Sequence, residues 1–340
     1  MADLVLLTGI SGFLGGHLAL ALLRAGYRVR GSLRHMDRAA SVRTMLVARK
    51  ADIARLEFVE LDLLADEGWR EAMAGVRYLQ HTASPLTAHM PGDRMELIRP
   101  AVEGTERALN AALAGEVERV VLTSSMAAIA YGHDPARRAP FTELDWTNLE
   151  GRRVNAYTES KTLAERRAWQ IMRAAGRQAD LAAINPSIIL GGLLDDDPGT
   201  SALLIRRLLD GSLPALPRIA PAIVGVEDVV EAHLRAMTVQ EAGGRRFPIS
   251  ARTLFLREVA AIVREAAGPR GREVPWLPVP DVAVRLLALL NRDIRGIASE
   301  LGIVKKLDSR AVEALLGHRL RPAEDAITAT THSLIARGLV

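Results

Sequence analysis

Three glycines at a spacing of three residues, directly after an apolar run, are the feature that most limits the fold of this chain. Gly9, Gly12 and Gly15 lie in "TGISGFLGG", after the mostly apolar residues 3–8 and at the start of a helical pattern over residues 12–26. A tight turn from strand to helix requires a positive φ, which glycine adopts without strain. A side chain here would also keep a phosphate away from the backbone and from the positive end of the helix. The spacing and its context predict a strand–turn–helix unit that binds the phosphates of a dinucleotide.

Short apolar runs alternate with longer helical patterns over the first half of the chain. Such alternation indicates a parallel sheet with helices on both faces, in which the strands are short and apolar. The fold class is therefore predicted as a doubly wound parallel α/β sheet of the Rossmann type. Strands are predicted over residues 3–8, 27–34, 56–62, 78–84, 119–125 and 180–187, and helices over 12–26, 66–74, 93–114 and 154–175.

The pattern changes after residue 187, where glycine and proline interrupt the periodicity. Residues 1–187 are predicted as the dinucleotide-binding domain, with later contributions from about 222–250. Residues 188–340 are predicted as a smaller, mainly helical region that binds the substrate. Ligands in open α/β folds bind at the carboxyl ends of the strands, so we expect the two regions to share a cleft there.

The composition excludes several kinds of site and partner. The 340 residues include no cysteine, which excludes disulfides, thiolate metal sites and a cysteine nucleophile. Basic and acidic residues are interspersed, the formal net charge is +4, and only 4% of residues are aromatic, which argues against a nucleic-acid-binding face. No apolar stretch approaches the roughly 18 residues of a membrane span. We expect a cytoplasmic protein without a metal site that binds neither nucleic acid nor membrane.

The end of the second predicted strand indicates which dinucleotide is bound. An acidic residue there would hold the ribose hydroxyls of NAD, but the strand ends with Ser32 and Arg34, and Arg38 follows. Cationic side chains at this position favour the 2′-phosphate of NADP, so the cofactor is predicted as NADP(H). Asp62, after the third strand, is placed to accept a hydrogen bond from the adenine amino group, although a turn or helix-capping role explains it nearly as well.

A tyrosine, a lysine and two serines supply the predicted chemistry. Tyr157 and Lys161 in "YTESK" are four residues apart and share one face of a helix. The ammonium group is expected to stabilise the phenolate and to lower the pKa of Tyr157. The preceding strand ends in Ser124 and Ser125, and one of these hydroxyls is expected to hold a substrate oxygen while Tyr157 exchanges a proton with it. The set predicts hydride transfer at a carbonyl or carbinol carbon, with the cofactor as the redox agent.

These motifs occur in the order found in extended short-chain dehydrogenase/reductases. More narrowly, the chain resembles the group of dihydroflavonol-4-reductases, cinnamoyl-CoA reductases and NADPH-dependent aldehyde reductases. The resemblance is carried along nearly the whole chain by "TGISGFLG", "HTASP", "RPAVEGT", "VLTSSMAA", "YTESKTLAE", "INPSIILGG", "VGVEDVVEAH" and "ISARTLFLREVA".

The resemblance implies roles for individual residues at the matched positions. Ser125, Tyr157 and Lys161 would form the catalytic set, with Ser124 as the alternative serine. The residues implied to contact the cofactor are Thr8, Gly9, Ser11, Gly12, Phe13, Leu14, Gly15, Ser32, Arg34, Arg38, Asp62, Leu63, Thr82, Ala83, Ser84, Thr123, Lys161, Asn185, Pro186 and Ser187.

We therefore predict an NADPH-dependent reductase of aldehydes or ketones that carry bulky apolar or aromatic groups, with the alcohol oxidised in the reverse direction. The expected partner is this small-molecule substrate. The resemblance implies a monomer or a homodimer, since some relatives are monomers and others pair through the helices that match residues 93–114 and 154–175. The alternatives within the family are a hydroxysteroid dehydrogenase and a nucleotide-sugar epimerase or dehydratase. An alternative of a different class is a regulator that senses NADP without turnover.

Overall fold

Strands and helices alternate along the chain, as its periodicity predicts. The computed structural model describes residues 2–85 and 92–340. The strands in these residues are β1 (Leu4–Thr8), β2 (Arg28–Leu33), β3 (Leu56–Glu60), β4 (Tyr78–His81), β5 (Arg119–Thr123), β6 (Leu181–Pro186), β7 (Ile188–Leu190), β8 (Ala222–Gly225), β9 (Arg246–Ile249) and β10 (Arg252–Thr253). The α-helices are α1 (Phe13–Arg24), α2 (Ala39–Ala48), α3 (Trp69–Met73), α4 (Met95–Ala114), α5 (Ala156–Ala174), α6 (Gly199–Leu209), α7 (Val226–Thr238), α8 (Leu256–Ala266), α9 (Asp281–Leu290), α10 (Arg292–Ser299), α11 (Arg310–Leu316) and α12 (Ala323–Ala336).

The larger sheet contains seven strands in the order β3-β2-β1-β4-β5-β6-β9, and every neighbouring pair is parallel. β1 lies near its centre, and all five of its residues are buried. Strands covered on both faces are expected to be apolar throughout, as β1 is. The strand order reverses between β1 and β4, and this reversal opens the crevice in which folds of this class bind their ligands.

Helices cover both faces of this sheet. Apolar side chains of α1, α2, α7 and α11 pack on one face, and those of α3, α4 and α5 pack on the other. β9 and α7 come from the second half of the chain and still belong to this layered unit, in the stretch near residues 222–250 from which contributions are expected. The predicted boundary at residue 187 stays a prediction.

The second half of the chain also forms a small sheet that the sequence does not reveal. β7 pairs with β8 in parallel, and β10 pairs with β8 in antiparallel orientation. Helices α6, α8 and α12 bury their apolar faces around it. These strands have two to four residues, which is too short for an alternating pattern to be visible. Helix α2 was also absent from the predicted elements.

Three predicted strands end two or more residues earlier than their apolar runs suggest. β3 ends at Glu60 rather than at residue 62, β4 at His81 rather than at residue 84, and β5 at Thr123 rather than at residue 125. The backbone leaves β4 because the N–H groups of Thr82 and Ala83 both donate to the Thr8 hydroxyl, 3.1 Å away, rather than to a neighbouring strand. Thr82 and Ala83 therefore follow β4 as irregular backbone at the carboxyl edge of the sheet.

Candidate active site

A cleft of about 610 Å³ opens at the carboxyl ends of β1, β4, β5 and β6, which is a size typical of ligand sites. The predicted site residues in its lining are Gly9, Gly12, Phe13, Leu14, Gly15, Thr82, Ser84, Thr123, Ser125, Tyr157, Lys161, Pro186 and Ser187. The predicted residues outside its lining are Thr8, Ser11, Ser32, Arg34, Arg38, Asp62, Leu63, Ala83 and Asn185. The fold therefore brings most of the predicted residues together.

The glycine turn at one end of the cleft leaves no room for side chains. Gly9 has a φ of +73°, and a Cβ on it would lie 3.0 Å from the Ala83 Cα. A Cβ on Gly15 would lie 2.1 Å from the carbonyl oxygen of Gly9, which is well inside van der Waals contact. A Cβ on Gly12 would lie 3.4 Å from the carbonyl oxygen of Gly9, which is an ordinary van der Waals contact. Gly9 and Gly15 are thus required by the turn itself, whereas Gly12 keeps the surface of the turn open.

The region around this turn fits a dinucleotide. Helix α1 begins directly after Gly12, and no side chain caps its first N–H groups, which are therefore free to bind phosphate. Farther along the cleft, the buried Ser187 hydroxyl has no hydrogen-bond partner among the described residues. A buried hydroxyl without a partner is costly, so a polar ligand group is expected there.

Thr8 supports the cleft from beneath. Its hydroxyl lies 2.9 Å from the His81 Nδ1 and accepts hydrogen bonds from the Thr82 and Ala83 N–H groups, which follow β4. The Thr82 hydroxyl donates in return to the Thr8 carbonyl, 2.6 Å away. Thr8 and Ala83 therefore shape the cleft without lining it.

The residues at the end of β2 lie beside the glycine turn. Ser32 is buried, and its hydroxyl accepts a hydrogen bond of 3.3 Å from the Gly9 N–H. Arg34 is exposed and makes no ion pair with any described residue. The Arg38 guanidinium lies 3.9 Å from the Asp197 carboxylate, and both side chains are about half exposed. Arg34 is thus an unpaired cation at the predicted position of a 2′-phosphate, and its role stays a prediction.

Asp62, Leu63 and Ser11 lie near the predicted adenine and phosphate positions. The Asp62 carboxylate accepts a hydrogen bond of 2.9 Å from the Leu64 N–H, so it already stabilises its own turn. Leu63 packs against α4, where a Cβ on Gly104 would lie 2.7 Å from it. Ser11 is partly buried within the glycine turn. The turn role that the sequence allows for Asp62 is observed, and its contact with adenine stays a prediction.

The predicted catalytic side chains converge in the middle of the cleft. The Tyr157 hydroxyl lies 3.5 Å from the Ser125 Oγ, and the Ser125 Oγ also accepts from the Ala127 N–H at 3.1 Å. Tyr157 and Lys161 lie one turn apart near the start of α5. The Asn155 side chain caps this helix by accepting from the Thr158 N–H at 2.9 Å, which fixes where the first turn begins. The arrangement can position a carbonyl oxygen between two hydroxyl groups.

The two serines that follow β5 have different partners. The Ser124 hydroxyl donates to the Glu165 Oε2 at 2.5 Å and is committed to that buried carboxylate. Ser125 follows it in the chain and lies next to Tyr157. The geometry therefore favours Ser125, which the sequence analysis also preferred, although the catalytic role itself stays a prediction.

The pKa values of the tyrosine and the lysine are set mainly by burial. Burial raises the pKa of Tyr157, and the hydrogen bond with Ser125 offsets part of this effect. The net shift of the Tyr157 pKa is therefore upward rather than downward, because helical spacing does not reveal how far the phenol is desolvated. The expected stabilisation of the phenolate by Lys161 stays a prediction. Burial also lowers the pKa of Lys161 to about 8, against the opposing effect of the Glu165 carboxylate.

Two buried histidines lie under the sheet edge as neutral groups. Burial lowers the pKa of His81 to about 3, with a smaller effect from Lys161, and burial lowers the pKa of His233 to about 3. His233 lies between the Gln80 amide, 2.8 Å away, and the Thr123 hydroxyl, 3.1 Å away. These contacts join α7 to β4 and β5.

Sequence reasoning missed two features of the site. The first is the buried pair of Glu165 and Arg246 beneath the serines, whose Oε1 and Nε atoms are 2.5 Å apart. A signal for it exists, because Glu165 lies four residues after Lys161 and on the same face of α5. The second is the segment between β7 and α6. Its residues in the cleft lining, together with the first turns of α6, are Asp197, Pro198, Gly199, Thr200, Ser201 and Leu203.

The described residues contain neither a metal-binding cluster nor a membrane-spanning helix. Within residues 2–85 and 92–340, no cluster of three or more histidine, aspartate or glutamate side chains is arranged to hold a metal ion. No helix in the same residues is long and apolar enough to cross a membrane.

Comparison with known proteins identifies the family. Residues 5–250 match the NAD dependent epimerase/dehydratase family. The chain belongs to this family. Cinnamoyl-CoA reductase 1 of Petunia hybrida is 36% identical over 250 residues, which cover 72% of this chain and 71% of that relative. Tetraketide alpha-pyrone reductase 2 of Arabidopsis thaliana is 33% identical over 245 residues, which cover 71% of this chain and 75% of that relative.

Solved structures agree on the fold of this family member. The yeast methylglyoxal/isovaleraldehyde reductase Gre2, complexed with NADPH, superposes with a TM-score of 0.81 at 24% identity and covers 99% of this chain and 100% of its own. The predicted fold class and the predicted resemblance to extended short-chain dehydrogenase/reductases are both confirmed. The oligomeric state and the cytoplasmic location stay predictions.

Proposed function

We propose that this member of the epimerase/dehydratase family is an NADPH-dependent oxidoreductase that reduces aldehydes or ketones to alcohols. The observation that carries the proposal is the 3.5 Å separation of the Tyr157 and Ser125 hydroxyls, with Lys161 one helical turn away, in a cleft that fits a dinucleotide. Two relatives that are similar over most of their length are named as reductases, and the yeast neighbour was solved with NADPH.

The mechanism assigns one task to each of three side chains. When bound, the nicotinamide cofactor supplies a hydride to the carbonyl carbon. The Ser125 hydroxyl donates a hydrogen bond that holds the carbonyl oxygen beside Tyr157. Tyr157 donates its phenolic proton to this oxygen as negative charge develops on it, and a raised pKa keeps that proton available at neutral pH. The Lys161 ammonium then stabilises the phenolate that remains.

The lining of the cleft favours an uncharged substrate with an apolar body. Pro85, Ile189 and Leu203 contribute apolar surface, and Lys161 and Asp197 are the only charged side chains among the described lining residues. A nucleotide-sugar substrate would need several cationic groups for its diphosphate. This lining therefore supports bulky apolar or aromatic carbonyl compounds over sugar nucleotides.

The deciding experiment follows NADPH and NADH oxidation by absorbance over a panel of aryl and alkyl aldehydes and ketones. We expect NADPH-preferring turnover, and a loss of about 100-fold or more in kcat for Tyr157→Phe with unchanged NADPH binding, because only the proton donor is removed. Tyr27→Phe, at the opposite edge of the sheet, is the matched control and should keep full activity. Tight NADPH binding without turnover of any carbonyl compound would contradict the proposal and favour a sugar-nucleotide enzyme or a sensor.

A further inference from the structure

The most completely bonded charged group beneath the cleft is the Glu165 carboxylate, which is 1% exposed. Its Oε2 accepts from the Ser124 hydroxyl at 2.5 Å, from the Asn185 amide at 2.7 Å and from one Arg246 nitrogen at 3.3 Å. Its Oε1 accepts from the Trp169 indole at 3.1 Å and from the Arg246 Nε at 2.5 Å. Every contact is a donor, so the two carboxylate oxygens accept five hydrogen bonds between them.

Arg246 is held as firmly as its partner. Its side chain is 7% exposed, and it donates to the carbonyl oxygens of Glu143 at 2.9 Å and Asp145 at 2.6 Å. The guanidinium also lies 3.7 Å from the centre of the Trp146 ring. Because its donors are already engaged in a fixed plane, Arg246 restricts the Glu165 carboxylate to one orientation.

The cluster formed by Glu165, Arg246, Ser124 and Asn185 fixes the backbone of Ser125 at two points. Ser124, the residue before it, is bonded to Glu165 directly. Asn185, which is also bonded to Glu165, donates through the same amide nitrogen to the Ser125 carbonyl oxygen at 3.3 Å. The backbone of Ser125 is thus fixed by the residue before it and at its own carbonyl, which leaves its hydroxyl to face Tyr157.

The cluster also acts on the lysine. Glu165 lies one turn after Lys161 on α5, and its negative charge favours the charged form of the ammonium. The titratable groups that face Lys161 are Glu165 and Tyr157 on its own helix and the neutral His81 from β4. Within this set, Glu165 is the only group whose charge offsets the desolvation of the ammonium.

We propose that Glu165 is a positioning residue of this active site: within the cluster that Arg246 completes, it holds Ser125 in place and sets its carboxylate one helical turn from Lys161. This inference rests on the proposed function. Stability alone does not require such a pair, because buried ion pairs are often replaced by apolar residues without loss of stability. A role in the reaction would explain why the pair lies directly under the serine and the lysine.

The test compares Glu165→Gln with the wild-type enzyme. We expect a fall of about 10- to 100-fold in kcat, because the serine and the lysine lose their support. The change in NADPH binding should be much smaller, since Glu165 makes no contact with the glycine turn that would bind the phosphates. We also expect the alkaline fall in kcat/KM to begin at lower pH. Removal of the negative charge lowers the pKa of Lys161, so the ammonium loses its proton earlier as pH rises.

Two further variants separate a positioning role from a structural one. Asp228→Asn is the matched control: Asp228 is also fully buried and paired with an arginine, Arg321, but it lies outside the cleft lining. It should lose stability without moving the pH profile. If Glu165→Gln does not fold, Glu165→Gln combined with Arg246→Met removes both charges and leaves no buried charge unpaired. A folded variant with wild-type kcat and an unchanged pH profile would overturn the proposal.

A readout without turnover distinguishes this inference from the proposed function. Lys161 is one of only four lysines, so its reaction with an amine-selective reagent at varied pH can be followed by peptide mass spectrometry. The midpoint of labelling at Lys161 should move to lower pH in Glu165→Gln and stay in place in Asp228→Asn. If the wild-type protein reduces no carbonyl compound, the proposed function fails, and an unmoved labelling midpoint would separately overturn the effect of Glu165 on Lys161.

Discussion

At the scale of single residues, the charge on Lys161 decides whether the site can stabilise a phenolate. Burial lowers the pKa of Lys161 to about 8, so its ammonium loses a proton as pH rises through that value. We expect kcat/KM of the wild-type enzyme to fall about tenfold per unit above pH 8, because this parameter follows ionisation of the free enzyme. The residual activity of Lys161→Arg should lack this fall, since arginine stays charged. A flat wild-type profile up to pH 9.5 would contradict the assignment.

Arg34 is the residue on which the cofactor preference depends. It is exposed, makes no ion pair with the described residues, and directly follows β2, whose Ser32 accepts a hydrogen bond from Gly9. Arg34→Ala should raise the Kd for NADPH about tenfold or more, because a charge-assisted contact to phosphate is lost, and should leave the Kd for NADH unchanged. Fluorescence titration measures both constants. Arg173→Ala, exposed near the far end of α5, serves as the control, and an equal loss for both cofactors would argue against a 2′-phosphate contact.

At the scale of elements, the strand–turn–helix unit separates two functions of glycine. Gly15→Ala places a Cβ 2.1 Å from the Gly9 carbonyl oxygen, so it should destabilise the protein by about 1–3 kcal/mol without any ligand. Gly12→Ala meets only ordinary contact and should change the free energy of unfolding by less than about 0.5 kcal/mol. We expect Gly12→Ala to bind NADPH weakly all the same, because its methyl group covers the surface that a phosphate approaches.

Denaturant unfolding followed by NADPH titration checks both glycine variants. Equal stability of the two would show that the turn can relax around a Cβ on Gly15. Tight NADPH binding by Gly12→Ala would show that phosphate does not approach there.

Local patterns explain which elements and residues were predictable. The glycine turn, β1 and the Tyr157–Lys161 pair each depend on a few neighbouring residues, so their spacing is visible in the sequence. The direction of the pKa shift at Tyr157 depends on how far other elements bury the phenol, which cannot be predicted from the spacing of Tyr157 and Lys161. Glu165 was missed because its partner Arg246 lies 81 positions away, and the two residues give no joint signal in a single sequence.

At the scale of the whole molecule, helix α9 leaves most of its large apolar side chains exposed to solvent. Val284 and Ala288 face inward and are 4% and 6% exposed, whereas Leu286 and Leu290 are 60% and 89% exposed. Leu286→Gln and Leu290→Gln should change the free energy of unfolding by less than about 0.5 kcal/mol, and Val284→Ala should cost about 1–3 kcal/mol.

Thermal unfolding at several protein concentrations measures these differences. Wild-type stability that is independent of concentration, with neutral glutamine variants, is the expected result. A loss for Leu286→Gln as large as that for Val284→Ala would show that the outer face of α9 is covered in solution.

The cluster around Glu165 has a consequence for how the molecule reaches its active form. Ser124 is 41 positions away along the chain, Asn185 is 20 positions away and Arg246 is 81 positions away, so four distant segments meet at one carboxylate. Contacts between residues this far apart along the chain form late, because the entropy of closing a long loop is lost before the contact can stabilise the fold. A chain leaving the ribosome carries Ser125, Tyr157 and Lys161 well before it carries β9. The newly made protein should therefore form the other six strands of the larger sheet first, and should become catalytically competent only when β9 joins them.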